Sequence, residues 1–271
     1  MKLRLLGVVA LCAWSLAPAV WQAVTALKPD EQITKVPTVY FPRQPTLSHV
    51  KALLERKPFA TYLRNSLLAS AAATALTLLA AAPAAAALTH LAARRRERFL
   101  LGFLLFASFP PILLLVPLYE GARVLGVLNE PLAIALPYAA LNLPLAVWIL
   151  EGALGALPRA IDEATVLDGL SPLRRLLAIQ LPLALPSLAT AALLAFIFSW
   201  NEFLLALTFL SRDAAKTVTA GIASVSGASL FEIPWGPLSA AIVIATAPLV
   251  LLVLLFERKI VAGLTRGGVK G

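Results

Sequence analysis

Asn65–Ala93 reads NSLLASAAATALTLLAAAPAAAALTHLAA, and Arg94–Arg98, which follows at once, reads RRRER. No Asp, Glu, Lys or Arg interrupts the first stretch, and it is longer than the roughly 20 apolar residues a helix needs to cross a bilayer. The second is almost wholly cationic, and each such charge would cost about 2.5–3.5 kcal/mol at mid-bilayer. Together they predict a spanning helix whose C-terminal end lies on the cytoplasmic side of a membrane.

The same pattern recurs on both sides. Leu5–Leu27, Phe99–Tyr119, Pro131–Leu150, Leu176–Asn201 and Ile233–Phe256 are also free of charge, so six spans are expected. The fifth is expected to run on past Glu202 through Phe203–Leu210, with Leu181-Pro182 near its start. The chain is 60% hydrophobic and only 14% charged, which leaves too little polar sequence to cover a soluble domain. The expected fold is an all-α polytopic membrane protein, with residues 1–271 forming one transmembrane domain. A net charge of +9 could suggest nucleic acid, but the cations fall between the apolar runs rather than on one face of a soluble module, so no nucleic acid partner is predicted. Cys12 is the only cysteine, which rules out an intrachain disulfide and a cysteine-based metal site.

Lys2 and Arg4 ahead of an apolar run resemble a secretory signal, but such a signal has an apolar core of only about 7–15 residues. The run is longer and contains Trp14 and Trp21, so it is read as a retained first helix, residues 5–27. Placing Arg94–Arg98 inside puts both termini in the cytoplasm, together with the connection Glu151–Arg175, and leaves residues 28–64, Glu120–Glu130 and Ser211–Glu232 outside. Lys2 and Arg4 at one end and Arg258, Lys259, Arg266 and Lys270 at the other agree with that orientation. Pro29, Pro37, Pro42, Pro45 and Pro58 argue against a long helix in the first outer loop. Ala71–Ala87 reads as a small-residue face suited to close helix packing.

Catalytic motifs are missing. The spacing nearest to a phosphate-binding loop, Gly121 to Gly126, is followed by Val127 and Leu128 rather than by Lys and a hydroxyl residue. His49 and His90 lack metal-ligand spacing, and His90 reads as interfacial. No nucleophile elbow occurs. An enzyme is not expected, nor is a cofactor or metal in this chain.

The connection between spans four and five, EGALGALPRAIDEATVLDGLSPLRRLLAIQLPLALP from Glu151 to Pro186, is organised unlike a linker. Pro158 can start a helix, Asp162 and Glu163 suit its N-terminus, and Ala164, Leu167 and Leu170 recur at helical spacing. Gly169 breaks that pattern and Ser171-Pro172 can begin a second helix. A short helix, a turn and another helix would form a knob at the membrane edge.

Here the residues carry a likeness. Glu163-Ala164-Thr165, Asp168-Gly169, Ile179 and Leu181-Pro182 resemble the EAA loop (here residues 151–182) of bacterial ABC importer permeases. Thr165 stands where that pattern has a second alanine, and Leu176-Leu177 where sugar permeases often carry aromatics. Asn65-Ser66-Leu67, at the expected opening of span two, and Trp200-Asn201-Glu202-Phe203 resemble elements of carbohydrate-uptake permeases. Gly263–Gly271 resembles the C-terminus of the maltose-type second permease. The resemblance implies a heteromeric importer in a bacterial or archaeal cytoplasmic membrane: a second permease, two ATP-binding subunits that hold Mg-ATP, an external solute-binding protein, and a sugar such as maltose or trehalose. It implies that Glu163, Ala164, Thr165, Asp168, Gly169, Ile179 and Pro182 couple to the ATP-binding subunits. It also implies that Gly267, Gly268, Val269, Lys270 and Gly271, in the tail from residue 258, reach between those subunits. A basic tail attracted to anionic lipid is the plainer reading of the last segment.

Glu202 stands out without any family, because an ionisable group in an apolar run faces protein or water rather than lipid. Asn65, Ser66, Trp200, Asn201 and Glu202 either line a translocation path or lock helices together through buried hydrogen bonds. The rival function is a secondary transporter or channel working without ATP. Such proteins place several ionisable groups near mid-membrane, where this chain offers Glu202.

Overall fold

The computed structural model describes the backbone of residues 2–225 and 233–268, and the side chains of residues 4–225 and 233–256. Among these residues regular structure is helical throughout. Four continuous helices are long and apolar enough to span a membrane, and two bent pairs raise the number to six if each pair is one span.

The second span, Phe59–Thr89, packs along the fourth, Ala135–Gly155, and both pack on the fifth, Leu185–Asn201. Close approach is possible because Ala69, Ala73, Ala81 and Ala85 are fully buried on one face of the second span. In lipid, where apolar burial gives no preference for protein over acyl chain, small residues let backbones meet and dispersion forces accumulate. Thr77, in the middle of that face, donates to the Ala73 carbonyl and reaches the Ala139 carbonyl of the fourth span at 3.4 Å. The sixth span, at the start of the helix Trp235–Gly268, packs on the fifth, and the first, Lys2–Ala26, lies against the sixth. Leu5, Leu11 and Trp14 of the first helix stay exposed, Trp14 by 83%.

Three expected boundaries move. The second helix begins at Phe59 rather than Asn65, because Arg64 sits near its N-terminal end, where a long cation can reach water. Asn65 and Ser66 therefore lie inside the helix, not at its opening. The expected third span, Phe99–Tyr119, is two helices, Ala93–Ala107 and Pro111–Val124, meeting at 81°. Pro110 and Pro111 remove consecutive amide donors there, and Ser108 bonds back to the Leu104 carbonyl at 2.9 Å. The expected fifth span also bends, by 88° between Pro172–Leu183 and Leu185–Asn201. Its continuation past Glu202 is broken, since Glu202 leaves the helix at ψ 128° before a short helix, Leu204–Phe209.

The connection between the first two long helices contains a helix, Ser48–Arg56, seated against the last helix. His49 bonds the Lys28 carbonyl at 2.8 Å, and a Cβ on Gly236 would lie 2.3 Å from the His49 ring. The Pro-rich segment before it, residues 34–46, has no helix. At the other end of the chain the helical backbone continues through Gly267 to Gly268, whereas Val269, Lys270 and Gly271 lie outside the described residues.

Candidate functional site

Two constructions flank the fifth span, about 25 Å apart by the rise of its helix. The first is the knob. Pro158 precedes the helix Arg159–Leu167, with Asp162 in its first turn. Gly169 then takes φ +72°, while its amide bonds Val166 O and the Leu170 amide bonds Thr165 O, both at 3.0 Å. This paired pattern ends a helix with a left-handed residue, a conformation glycine adopts without steric cost. A Cβ at Gly169 would meet nothing within 4 Å, so backbone conformation alone demands the glycine. The Ser171 hydroxyl accepts from the Arg174 amide at 3.4 Å and starts the second helix, Pro172–Arg175. A π turn, Leu176–Gln180, leads into the elbow.

The knob has two faces. Thr165 is buried and donates to the Asp162 carbonyl at 2.8 Å. Gln180, also buried, donates to Asp162 Oδ1 at 2.9 Å. Glu163, Ala164, Asp168 and Gly169 are exposed, as are Val166 and Leu167, the latter by 87%. Ile179 is half-buried in the elbow and Pro182 is exposed there. Next to the knob, Arg96 of the basic link pairs with the buried Glu151. That pairing compensates a carboxylate that would be costly to bury alone.

The second construction is a cavity of about 380 Å³ near the other end of the fifth span, between it, the fourth span and the bend of the third. Phe106, Phe109 and Phe198 supply aromatic walls, and Asn142, Ser199 and Glu202 supply polar groups. Asn142 donates to Ser199 Oγ at 2.9 Å and to the Ala195 carbonyl at 3.3 Å. The Glu202 carboxylate accepts from the Leu205 amide at 3.0 and 3.1 Å and from the Ala206 amide at 3.2 Å. It thereby caps a helix N-terminus, where negative charge is favoured. Tyr138 is buried with its hydroxyl beside that carboxylate.

The other polar residues singled out by sequence lie elsewhere. Asn65 donates to the Ala214 and Lys216 carbonyls at 3.0 and 3.1 Å, and Ser66 accepts from the Val218 amide at 2.8 Å. These bonds tie the second span to the segment after the fifth. Trp200 is buried and stacked on Phe196 at 5.7 Å, away from the cavity lining, and Asn201 is exposed and bonds its own helix at Ile197 O. Sequence reading passed over Tyr138, Asn142 and Ser199. The available signal was Asn142, a carboxamide in the middle of an uncharged run.

In the segment after the fifth span, Asp213 bonds Lys216 Nζ at 2.6 Å and lies 3.7 Å from Lys57 Nζ. The Lys216 hydrogen bond, aided by both cations, holds the Asp213 carboxyl below its ordinary value against partial desolvation.

A family model, "Binding-protein-dependent transport system inner membrane component", matches residues 78–266 and so includes the knob, the elbow and Glu202. The chain is 37% identical over 269 residues to the sulfoquinovosyl glycerol transport system permease protein SmoH of Agrobacterium fabrum, covering 99% of this chain and 94% of that protein. It is 36% identical over 271 residues to the trehalose/maltose transport system permease protein MalG of Thermococcus litoralis, covering 99% and 96%. It is 34% identical over 258 residues to the trehalose transport system permease protein SugB of Mycobacterium tuberculosis, covering 95% and 93%. The fold is similar to that in the crystal structure of a bacterial ABC transporter involved in the import of the acidic polysaccharide alginate, with a TM-score of 0.76 over 95% of this chain and 94% of that one, at 22% identity. With the matched region spanning four of the candidate membrane segments and both constructions, the chain belongs to the family of binding-protein-dependent transport system inner membrane components.

Proposed function

We propose that this chain is the permease subunit of an ATP-driven carbohydrate importer, and that its knob is the coupling element. The observation that carries the reading is the knob's outward face. Val166 and Leu167 are exposed among Glu163 and Asp168 on one short helix and its cap, apolar surface edged by charge that suits a protein cleft better than lipid or water. Both termini and the knob lie in the cytoplasm, residues 1–271 act as one transmembrane domain, and the membrane is the bacterial or archaeal cytoplasmic membrane. Partners are a second permease, two ATP-binding subunits carrying Mg-ATP, and an external solute-binding protein. The tail that includes Gly267–Gly271 reaches between the ATP-binding subunits. On ATP binding the knob moves with those subunits and opens the spans alternately to each side.

The transported class is a di- or oligosaccharide such as maltose or trehalose, in keeping with the trehalose and maltose systems to which MalG and SugB belong. The cavity at Glu202 supports this class, because aromatic walls suit the apolar faces of sugar rings while Asn142, Ser199 and Glu202 suit hydroxyls.

The test is a cross-link. Leu167→Cys in a Cys12→Ser background, co-expressed with the cognate ATP-binding subunit carrying a cysteine in its docking cleft, should form an intersubunit disulfide. Labelling of that cysteine from the exterior, or ion-driven uptake by the chain alone, would overturn the reading in favour of a secondary transporter.

A further inference from the structure

Beneath the knob, one side chain joins three elements. Arg175 lies where the second knob helix enters the elbow, and its side chain is 14% exposed. Its Nη2 is 3.1 Å from His90 Nε2 at the C-terminal end of the second span. Its Nε lies 4.0 Å from Asp162 Oδ1 on the first knob helix, the same oxygen that accepts from Gln180. Guanidinium has donors only, so the His90 contact requires a ring nitrogen with a free lone pair.

Packing around this junction is incomplete. A cavity of about 240 Å³ separates Pro83, Ala86 and Ala87 of the second span from Pro172 and Leu173 of the knob. Leu88 and Leu176 share the apolar cluster below it, but beside the cavity the two elements are bridged by Arg175 and His90. The buried Arg175 Nε has no hydrogen bond, so a small shift of the first knob helix towards the second would complete one to Asp162.

We infer that Arg175 is a positioning residue that clasps the knob to the second span through Asp162 and His90, so that displacement of the knob turns that span instead of being absorbed in the cavity. The inference rests on the coupling role proposed above. Coupling through a side-chain network needs such a contiguous contact with room for two arrangements.

The experiment uses the complete importer in proteoliposomes and reads ATP hydrolysed per sugar imported. His90→Gln keeps an acceptor for Arg175 and should leave the ratio unchanged. His90→Lys sets a second cation against the guanidinium, and Arg175→Gln removes the charge; each should raise the ratio about threefold, the scale of one modest hydrogen bond, with subunit assembly intact. His90 is exposed at a helix end, so His90→Lys should fold even if Arg175→Gln does not. An unchanged ratio in assembled His90→Lys importer overturns the clasp, as does an equal effect of His90→Gln. The Leu167→Cys cross-link separates the two ideas: if it forms while the ratio stays constant, the clasp fails and the coupling role stands. If it never forms in the parent background, both fall.

Discussion

The fifth span is finished differently at its two ends. At the elbow the chain turns outward: Gly169 reverses the backbone, Leu167 faces solvent, and the polar groups are spent holding the knob to the body. At the other end the chain turns inward. Glu202 breaks the helix but directs its carboxylate to the next helix and to a cavity lined by neighbouring spans. The coupling role proposed for the knob requires a fixed backbone and a free surface. The sugar contact proposed for the cavity requires space between spans with polar groups already organised. The sharpest tests change one end and leave the other untouched.

The largest effect is expected at Gly169. An L-residue pays roughly 1–2 kcal/mol in the left-handed region, and a β-branched one is strained further there. Gly169→Val should therefore displace the knob and abolish uptake, Gly169→Asp should impair it strongly, and Gly169→Asn, which tolerates this conformation, should retain most of it. Since a Cβ at Gly169 meets nothing within 4 Å, the order should follow backbone preference rather than side-chain volume. Uptake and subunit assembly measured across the three would check this; full uptake by Gly169→Val would show that the turn transmits nothing.

At the other end the effects should be smaller and of another kind. Glu202→Ala removes an acceptor for two amides and should cost about 1 kcal/mol of stability, as loss of a helix cap does. Glu202→Gln retains an acceptor, so its melting temperature should stay near the parent's. If the carboxylate also holds sugar hydroxyls, Glu202→Gln should still lower uptake about tenfold, the scale of a charge-assisted hydrogen bond. A thermal melt in detergent together with uptake separates these roles, because a cap alone predicts normal transport by Glu202→Gln. Asn142→Leu breaks the tie to Ser199 and Ala195 and should cost about 0.6 kcal/mol, the average for polar contacts between spans.

The same contrast explains what could be read from the sequence. Uncharged length marked out the four to six candidate membrane segments, because a bilayer imposes a single coarse requirement that composition meets directly. The knob was equally legible, since Pro158, Gly169, Ser171 and Pro172 act through local backbone preferences. The bend at residues 108–111 carries two prolines, Pro110 and Pro111, yet an uncharged run conceals a break, because hydropathy carries no direction. Asn65 and Ser66 show a different limit. Their partners, Ala214, Lys216 and Val218, lie about 150 residues away, and nothing local separates a buried lock from a polar path. The cavity was least legible, for it needs the third, fourth and fifth spans to converge.

The smallest effect is expected just beyond the Glu202 end, where Asp213 ties Lys216 and Lys57 together. Its carboxyl is held below the ordinary value chiefly by the Lys216 hydrogen bond. The folded state therefore binds this proton less readily than the unfolded chain does. The stabilisation is complete above the unfolded carboxyl value of about 3.9 and is lost as pH falls through the lower folded value. Because the Asp213 side chain is 49% exposed, solvent screening limits the contribution to less than about 1 kcal/mol. Asp213→Asn should melt slightly below the parent at neutral pH, converge with it on acidification, and lose the difference in high salt. An offset that stays constant well below the ordinary carboxylate range would show that the ion pairs of Asp213 do not supply it.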